Sequence, residues 1–291
     1  AYVTSATYAS AGLANMISAT STNPFDVVKL RQQLLLEKER ANFLSVARGM
    51  LGTEGVKGLW AGVTAACLRE ATYGTIRMGG YEPFKRLYTS TLHLPESSFA
   101  LKLLAGVSSG TIGCLLSSPT DLMKVRMQAV RDPAMGHAPP YRSTLRGFVQ
   151  VYREEGGIKG LWRGVGPNVA RAGILTASQV GTYDQTKWWL KGHLGWGEGG
   201  RLHVAASMVA GLVCSLASSP VDVIKVRVMN VAADSASHES ALTLLNSLLR
   251  TEGPLALWKG FGMCWARLGT HTTISLVLFE YFRGLLGIKP L

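Results

Sequence analysis

The sequence predicts an all-α membrane protein built from three repeats. It has 291 residues, of which 47% are hydrophobic and only 16% are charged, whereas soluble domains average about 25% charged residues. Its 30 Lys and Arg residues exceed its 18 Asp and Glu residues, which gives a formal charge of +12. This composition favours apolar spans joined by basic loops, as in membrane proteins, and excludes a disordered basic tail. Three blocks of sequence recur in the same order.

The proline block is the first of these. It reads Pro, any residue, Asp, two residues, Lys, one residue, Arg, and it begins at Pro24, Pro119 and Pro220. The second block is a Glu-Gly pair followed by Trp, one residue and Gly, and it ends at Gly62, Gly164 and Gly260. The third block is an aromatic residue and an acid, with a base three positions after the acid. These blocks divide the chain into repeats 1–95, 96–195 and 196–291.

Each repeat is predicted to contain a span, a surface helix and a second span. Uncharged stretches at 1–25, 103–120 and 204–221 precede the proline blocks, and the first is more typical of a span than of a secretory signal. Weaker apolar segments, each broken by Arg, occupy 61–81, 163–183 and 259–279. Segments 43–53, 144–154 and 241–251 alternate apolar and polar residues at helical spacing. The four cysteines stand apart from other ligands and are expected to be buried apolar residues.

Three arginines predict an anion-binding site. Arg69, Arg171 and Arg267 each follow the glycine of the second block by seven residues, so they occupy equivalent depths in the three spans. A lone buried Arg is often structural, but a ring of three guanidiniums matches the oxygens of carboxylates or phosphates. Further along the same spans, three residues are candidate substrate ligands: Arg77, Gln179 and His271. For His271, a neutral side chain hydrogen-bonded within the bundle is the simpler interpretation.

Two rings of charge are predicted above and below these arginines. The acid and base of each proline block lie three residues apart and share a helix face, and the proline can kink the span so that the three ends converge. This ring contains Asp26, Lys29, Asp121, Lys124, Asp222 and Lys225. The third blocks supply the second ring, with aromatic side chains that cap it or form an interfacial belt: Tyr81, Glu82, Lys85, Tyr183, Asp184, Lys187, Phe279, Glu280 and Arg283.

The threefold proline block with its trailing Glu-Gly pair resembles the mitochondrial carrier family over essentially the whole chain. The resemblance implies six tilted transmembrane helices around a pseudo-threefold axis, three short matrix surface helices, and both termini in the intermembrane space. It also implies inter-repeat ion pairs that close the matrix side, formed by Asp26 with Lys124, Asp121 with Lys225, and Asp222 with Lys29. No cofactor is expected, and the carrier is expected to work as a monomer.

The resemblance further implies glutamine supports and a lipid site. Gln33 and Gln128 lie where the family places a glutamine that hydrogen-bonds across each ion pair, whereas the third copy is Met229. The end of each second block resembles the family's cardiolipin site, where a cation and helix N-terminal amides meet phosphate. The residues concerned are Trp60, Gly62, Trp162, Arg163, Gly164, Trp258, Lys259 and Gly260.

Among carriers, the chain is similar to the dicarboxylate, oxoglutarate and uncoupling-protein branch. Exchange of small dianions in the mitochondrial inner membrane is therefore the expected function, and an uncoupling-protein-like carrier of protons or anions is the alternative. Uncoupling proteins carry an acid five positions before the first proline of the blocks, where this chain has Ala19. We expect little fatty-acid-activated proton leak.

Two other classes of protein are disfavoured. The run Gly106–Gly110 matches the G-x-S-x-G pattern of hydrolases, but it lies inside an uncharged span rather than at a strand-to-helix turn. A nucleic-acid-binding protein would explain the positive charge, but its Lys and Arg residues would concentrate on one face of a soluble domain rather than alternate with spans. We therefore expect neither an enzyme nor a nucleic-acid partner.

Overall fold

The computed structural model describes residues 2–34, 42–95, 98–129, 141, 143–195, 197, 199–230 and 241–285. Within these ranges the regular structure is helical, which confirms the predicted fold class. In chain order the elements are α1 (Tyr2–Leu34), α2 (Phe43–Thr53), α3 (Gly55–Gly58), α4 (Val63–Leu92), α5 (Phe99–Gln128), α6 (Thr144–Glu154), α7 (Ile158–Leu161), α8 (Val165–Leu194), α9 (Gly200–Asn230), α10 (Ala241–Thr251), a 3₁₀ turn (Pro254–Trp258) and α11 (Phe261–Leu285).

Six long helices form a closed ring. Going around it, α1 packs on α4, α4 on α5, α5 on α8, α8 on α9, α9 on α11, and α11 back on α1. The three helices that carry the proline blocks, α1, α5 and α9, also contact one another. Pro24, Pro119 and Pro220 lie inside these three helices. The ends of the three helices therefore converge, which brings the proline blocks together.

The long helices have the length and the polarity of membrane spans. The shortest, α11, has 25 residues, or about 38 Å at 1.5 Å per residue, against a bilayer core of about 30 Å. Among the described residues, Phe99–Gln128 and Leu202–Asn230 are apolar enough to cross a membrane by length and composition alone. Large apolar side chains such as Leu116 and Val277 are exposed, whereas Asn23 and Gln128 are fully buried. This inverted polarity suits a ring whose outer face contacts lipid.

The three predicted surface helices form with the predicted bounds, as α2, α6 and α10. One apolar residue of each surface helix packs in the same cluster as the residue three positions after the proline of its own repeat. Met50 packs in a cluster with Val27, Val151 in a cluster with Leu122, and Leu248 in a cluster with Val223. The amphipathic pattern of these segments therefore reflects a single mode of packing beneath each proline block.

A glycine starts each of the helices α4, α8 and α11. Gly62, Gly164 and Gly260 have φ values of 67°, 81° and 78°, in the left-handed region that favours glycine. A Cβ on Gly164 would lie 2.7 Å from Cγ of Met229, and one on Gly62 would lie 3.1 Å from Cγ of Gln128. The last residue of the second block is therefore glycine for two reasons, its backbone conformation and the close approach of the next repeat.

The cysteines are free thiols, as the sequence predicts. Cys114, Cys214 and Cys264 are buried, and Cys67 is partly buried.

Candidate functional site

The proline blocks meet in three ion pairs that link the repeats. Nζ of Lys124 lies 2.7 Å from Oδ2 of Asp26, Nζ of Lys225 lies 3.2 Å from Oδ2 of Asp121, and Nζ of Lys29 lies 2.9 Å from Oδ2 of Asp222. These are the pairs that the family resemblance implies. Each joins two of the three converging helices, so the set ties α1, α5 and α9 together.

The three arginines bind the second oxygen of the same aspartates. Nε of Arg267 lies 3.0 Å from Oδ1 of Asp26, and Nε of Arg69 lies 2.5 Å from Oδ1 of Asp121. Arg171 makes the equivalent contact with Oδ1 of Asp222. Sequence register placed the arginines at a separate level between two gates, but the structure places them directly on the carboxylates. A buried guanidinium needs a partner, and the free oxygen of each aspartate supplies one.

We call these nine residues the proline-block network: three aspartates, three lysines and three arginines. Their side chains are 3% to 17% exposed. A small cavity of about 90 Å³ lies among them. Asn168 donates a further hydrogen bond of 2.7 Å to Asp121, so this carboxylate has three partners.

The two predicted glutamine supports line the small cavity, but neither of their described hydrogen bonds spans an ion pair. Nε2 of Gln33 donates to the backbone oxygen of Lys259 at 3.4 Å, and Nε2 of Gln128 donates to Oδ1 of Asn23 at 2.9 Å. Both side chains are buried against the glycine that starts a neighbouring helix, Gln33 against Gly260 and Gln128 against Gly62. Met229 occupies the equivalent place against Gly164. These positions therefore pack the seams between repeats.

A second set of ion pairs lies outside the network, and sequence analysis assigned no role to its members. The last Arg of each proline block holds the Glu of its own second block through two guanidinium nitrogens. Arg31 pairs with Glu54 at 2.5 and 2.9 Å, and Arg227 pairs with Glu252 at 2.6 and 2.9 Å. Arg126 pairs with Glu155 in the same way. The signal was present, since an unassigned Arg and an unassigned Glu recur in every repeat.

Glu252 belongs to this second set and lies outside the membrane-spanning helices. Burial of its carboxyl group acts to raise the pKa, but hydrogen bonds from Arg227 and Lys259 outweigh burial, so the pKa lies below its usual range. The pair with Lys259 is short, at 2.5 Å between Nζ and Oε2. Glu252 is therefore held in its charged form by two cations.

A wide cavity of about 630 Å³ lies toward the third blocks. Two of the predicted substrate ligands line it, Arg77 and Gln179, together with Lys102. The guanidinium carbon of Arg77 lies 5.9 Å from the ring centre of Tyr73, and that of Arg69 lies 5.1 Å from the same ring. Tyr73 therefore connects the wide cavity to the proline-block network through two cation–π contacts.

His271 lies one turn beyond Arg267 and is partly buried. Its backbone oxygen accepts a hydrogen bond of 2.9 Å from Ser18. Its Nε2 atom is buried and has no hydrogen-bond partner among the described residues.

The third blocks form a looser arrangement. Asp184 pairs with Lys102 of α5 at 3.3 Å, and these side chains are 42% and 38% exposed. Lys102 was not among the predicted partners, because it lies outside the recurring blocks. Tyr183 and His203 share a hydrogen bond of 2.5 Å, and Glu82 is exposed. The predicted ring also includes Glu280 and Arg283, whose side chains lie outside the described residues.

Comparison with known proteins identifies the family. Residues 2–92, 95–194 and 201–290 each match the family described as mitochondrial carrier protein. The chain belongs to the mitochondrial carrier family. Members of this family are transporters of the mitochondrial inner membrane, which agrees with the sequence-based class.

Several characterised carriers are similar over nearly their whole length. Mitochondrial substrate carrier family protein ucpB of Dictyostelium discoideum is 38% identical, covering 96% of this chain and 95% of the relative. Mitochondrial uncoupling protein 1 of Arabidopsis thaliana is 34% identical, with 94% and 91% covered. The mitochondrial 2-oxoglutarate/malate carrier protein of Mus musculus is 34% identical, with 92% and 87% covered.

Three of the predicted lipid-binding residues of this carrier have protein partners: Trp162, Trp258 and Lys259. The indole nitrogens of Trp162 and Trp258 donate to the backbone oxygens of Leu115 and Leu216, at 2.9 and 3.2 Å. Lys259, which the resemblance places against a lipid phosphate, is bound to Glu252. Trp60 is 40% exposed. The two tryptophan hydrogen bonds fix the starts of α8 and α11 against the preceding long helices.

Proposed function

We propose that this carrier exchanges small dianions across the mitochondrial inner membrane by alternating access. The substrates we expect are dicarboxylates of the malate, oxoglutarate or oxaloacetate type, with phosphate and sulfate as the nearest other anions. One observation carries the proposal: each aspartate of the proline-block network is shared between a lysine of a neighbouring repeat and one of the three arginines.

This sharing couples substrate binding to opening of the network. A carboxylate of the substrate is chemically equivalent to an aspartate side chain, so it competes with Asp26, Asp121 and Asp222 for the guanidiniums. An aspartate that loses its arginine keeps only one of its two cationic partners, and the ion pair between repeats weakens. The substrate thus favours the state in which the network is open, because it binds that state more tightly.

The two cavities supply the path. A dianion enters the wide cavity, where Arg77, Lys102 and Gln179 face it, and then reaches the arginines. By the family's topology the wide cavity faces the intermembrane space, the network closes the matrix side, and both termini lie in the intermembrane space. The similarity of this chain to a 2-oxoglutarate/malate carrier supports dicarboxylates as the substrate class.

Exchange in proteoliposomes tests the proposal. Labelled dicarboxylates, phosphate, sulfate and nucleotides are offered from outside to vesicles loaded with each anion. We expect dicarboxylate exchange, and loss of it on replacing Arg69, Arg171 or Arg267 with Ala. Arg153→Ala is the matched control, since Arg153 is exposed on the surface helix α6. Wild-type rates in all three ring variants would exclude the arginines as the substrate site.

An uncoupling-protein-like activity is the second candidate, because an uncoupling protein is among the similar carriers. In this chain Ala19, at the position of the acid of uncoupling proteins, is 4% exposed and supplies no titratable group. We expect little fatty-acid-activated proton flux in the same vesicles. Nucleotide-sensitive proton flux without anion exchange would reverse the order of the two candidates.

We also propose that cardiolipin binds at the starts of α8 and α11 and that the carrier works as a monomer. The positive end of a helix dipole and a neighbouring cation such as Arg163 attract phosphate. Cardiolipin added to detergent-purified protein should raise its melting temperature, and Arg163→Ala should reduce that rise.

A further inference from the structure

Glu70 is a buried acid that the threefold repeat does not explain. The equivalent residues of the other two repeats are Ala172 and Leu268, which are apolar. The Glu70 side chain is only 12% exposed, and Oε1 accepts a hydrogen bond from Nη1 of Arg69. Arg69 is therefore held by two carboxylates at once, Asp121 on Nε and Glu70 on Nη1.

The groups around Glu70 are mostly cations. Arg69 lies on its own helix α4, Lys124 faces it from α5, and Arg267 and His271 face it from α11. Asp26 on α1 interacts with His271 from the remaining neighbouring helix. The network has six cations and three aspartates, a surplus of +3, and Glu70 reduces this surplus to +2.

A substrate carboxylate that binds the end of the Arg69 guanidinium through Nη1 and Nη2 displaces Glu70 from Nη1. The released carboxylate would then lie in a buried site beside an anionic substrate, without its partner. A buried, unpaired charge is costly, and two neighbouring anions repel each other. Binding a proton on Glu70 removes both costs.

We propose that Glu70 is a proton-binding residue that couples proton movement to anion transport by this carrier. The inference rests on the proposed dianion exchange and extends it. In the empty state Glu70 occupies Arg69. When a dianion displaces it, Glu70 takes a proton from the wide cavity. The proton leaves on the other side with the substrate, when Glu70 returns to Arg69. One dianion and one proton then cross together in each direction, so each leg of the exchange carries a charge of −1 rather than −2, and a complete cycle moves no net proton.

The test uses the full-length carrier in vesicles that contain a dicarboxylate and a pH-sensitive dye. Malate uptake is measured at equal pH on both sides, and with the outside made more acidic. We expect acid outside to speed wild-type uptake several-fold, because each entering malate needs a proton on Glu70. The dye should report no net proton entry, since the departing dicarboxylate carries a proton out. Glu70→Gln should abolish the response of uptake to external acid, and should lower KM because Arg69 has lost a competitor. Glu154→Gln, which changes an exposed acid on α6, is the control that keeps the response to external acid.

Wild-type malate uptake that does not respond to external acid overturns the inference without any variant, and so does a Glu70→Gln carrier that keeps the response to pH. Loss of coupling in His271→Asn, with coupling intact in Glu70→Gln, also overturns it by assigning the proton to the histidine. If wild-type protein exchanges no dicarboxylate at either pH, the proposed function fails and the inference fails with it. Glu70→Asp should keep the coupling, since it keeps the carboxylate.

Discussion

The two ends of the helix ring differ in how their charges are held. At the proline-block end, every aspartate binds two cations on different helices, and the exposed fraction of these side chains does not exceed 17%. At the third-block end, Asp184 pairs with Lys102 among the described residues, with about 40% of each side chain exposed. Water screens this exposed pair more strongly than the buried ones. The charges at the proline-block end therefore tie the helices together more firmly, and the wide cavity lies toward the other end.

The largest expected effect is the difference in stability between removing one carboxylate at the proline-block end and removing one at the third-block end. Asp121→Asn leaves Lys225 and Arg69 buried without a full negative partner, so the free energy of unfolding should fall by about 3–5 kcal/mol. Asp184→Asn at the exposed pair should cost about 0–1 kcal/mol. Thermal unfolding of detergent-purified protein measures both. Equal losses would show that the two ends are held with similar strength.

The second set of ion pairs, formed by Arg and Glu outside the proline-block network, should give a smaller effect on stability that depends on pH. The pKa of Glu252 is lowered in the folded protein, so its contribution to stability is fully present above the unfolded value of about 4.5 and is lost as the pH falls through the folded pKa. Glu252→Gln should cost about 1.5–3 kcal/mol at neutral pH, the usual range for hydrogen bonds to charged groups.

Unfolding of the wild type and Glu252→Gln is compared from neutral pH down to about pH 3, below the ordinary pKa of Glu. The difference between them should stay constant at neutral pH and shrink in acid. A difference that grows in acid would contradict the assigned sign. Glu154→Gln, on the exposed face of α6, should show no such trend.

The smallest expected effect concerns the seam that lacks a glutamine. Gln128 binds Asn23, and the equivalent partner of residue 229 is Ser118, whose buried hydroxyl has no hydrogen-bond partner among the described residues. Met229→Gln should therefore satisfy Ser118 and stabilise the closed network by about 1 kcal/mol, with slower exchange. The gain should vanish in a double variant with Ser118→Ala. A gain that persists there would mean the new amide binds elsewhere.

The sequence predicted the parts of this fold that recur. Three copies of each block were enough to predict the long helices, the bounds of the surface helices, and the equivalent depth of Arg69, Arg171 and Arg267. Register along one helix gives depth but does not say which neighbouring helix a side chain faces. The contact between each arginine and an aspartate of the next repeat was therefore missed.

Features without a repeat were also missed. Lys102, the partner of Asp184, lies outside the three blocks, and Glu70 stands at a position that is apolar in the other repeats. Their contacts became visible only when the packing of α5 on α8 and of α4 on its neighbours was known. The second ring was predicted from spacing alone, and among the described residues Asp184 pairs with Lys102 of its own repeat.

The accessibility of two positions along the axis shows whether the proline-block network closes one end of the helix ring. Single cysteines at 179, in the wide cavity, and at 33, in the small cavity within the network, are placed in a variant without native cysteines. A membrane-impermeant maleimide is added to proteoliposomes from the side that the wide cavity faces. We expect rapid labelling at 179, protection at 33, and loss of that protection when Asp121→Asn is added. Equal labelling of both positions with the network intact would contradict it.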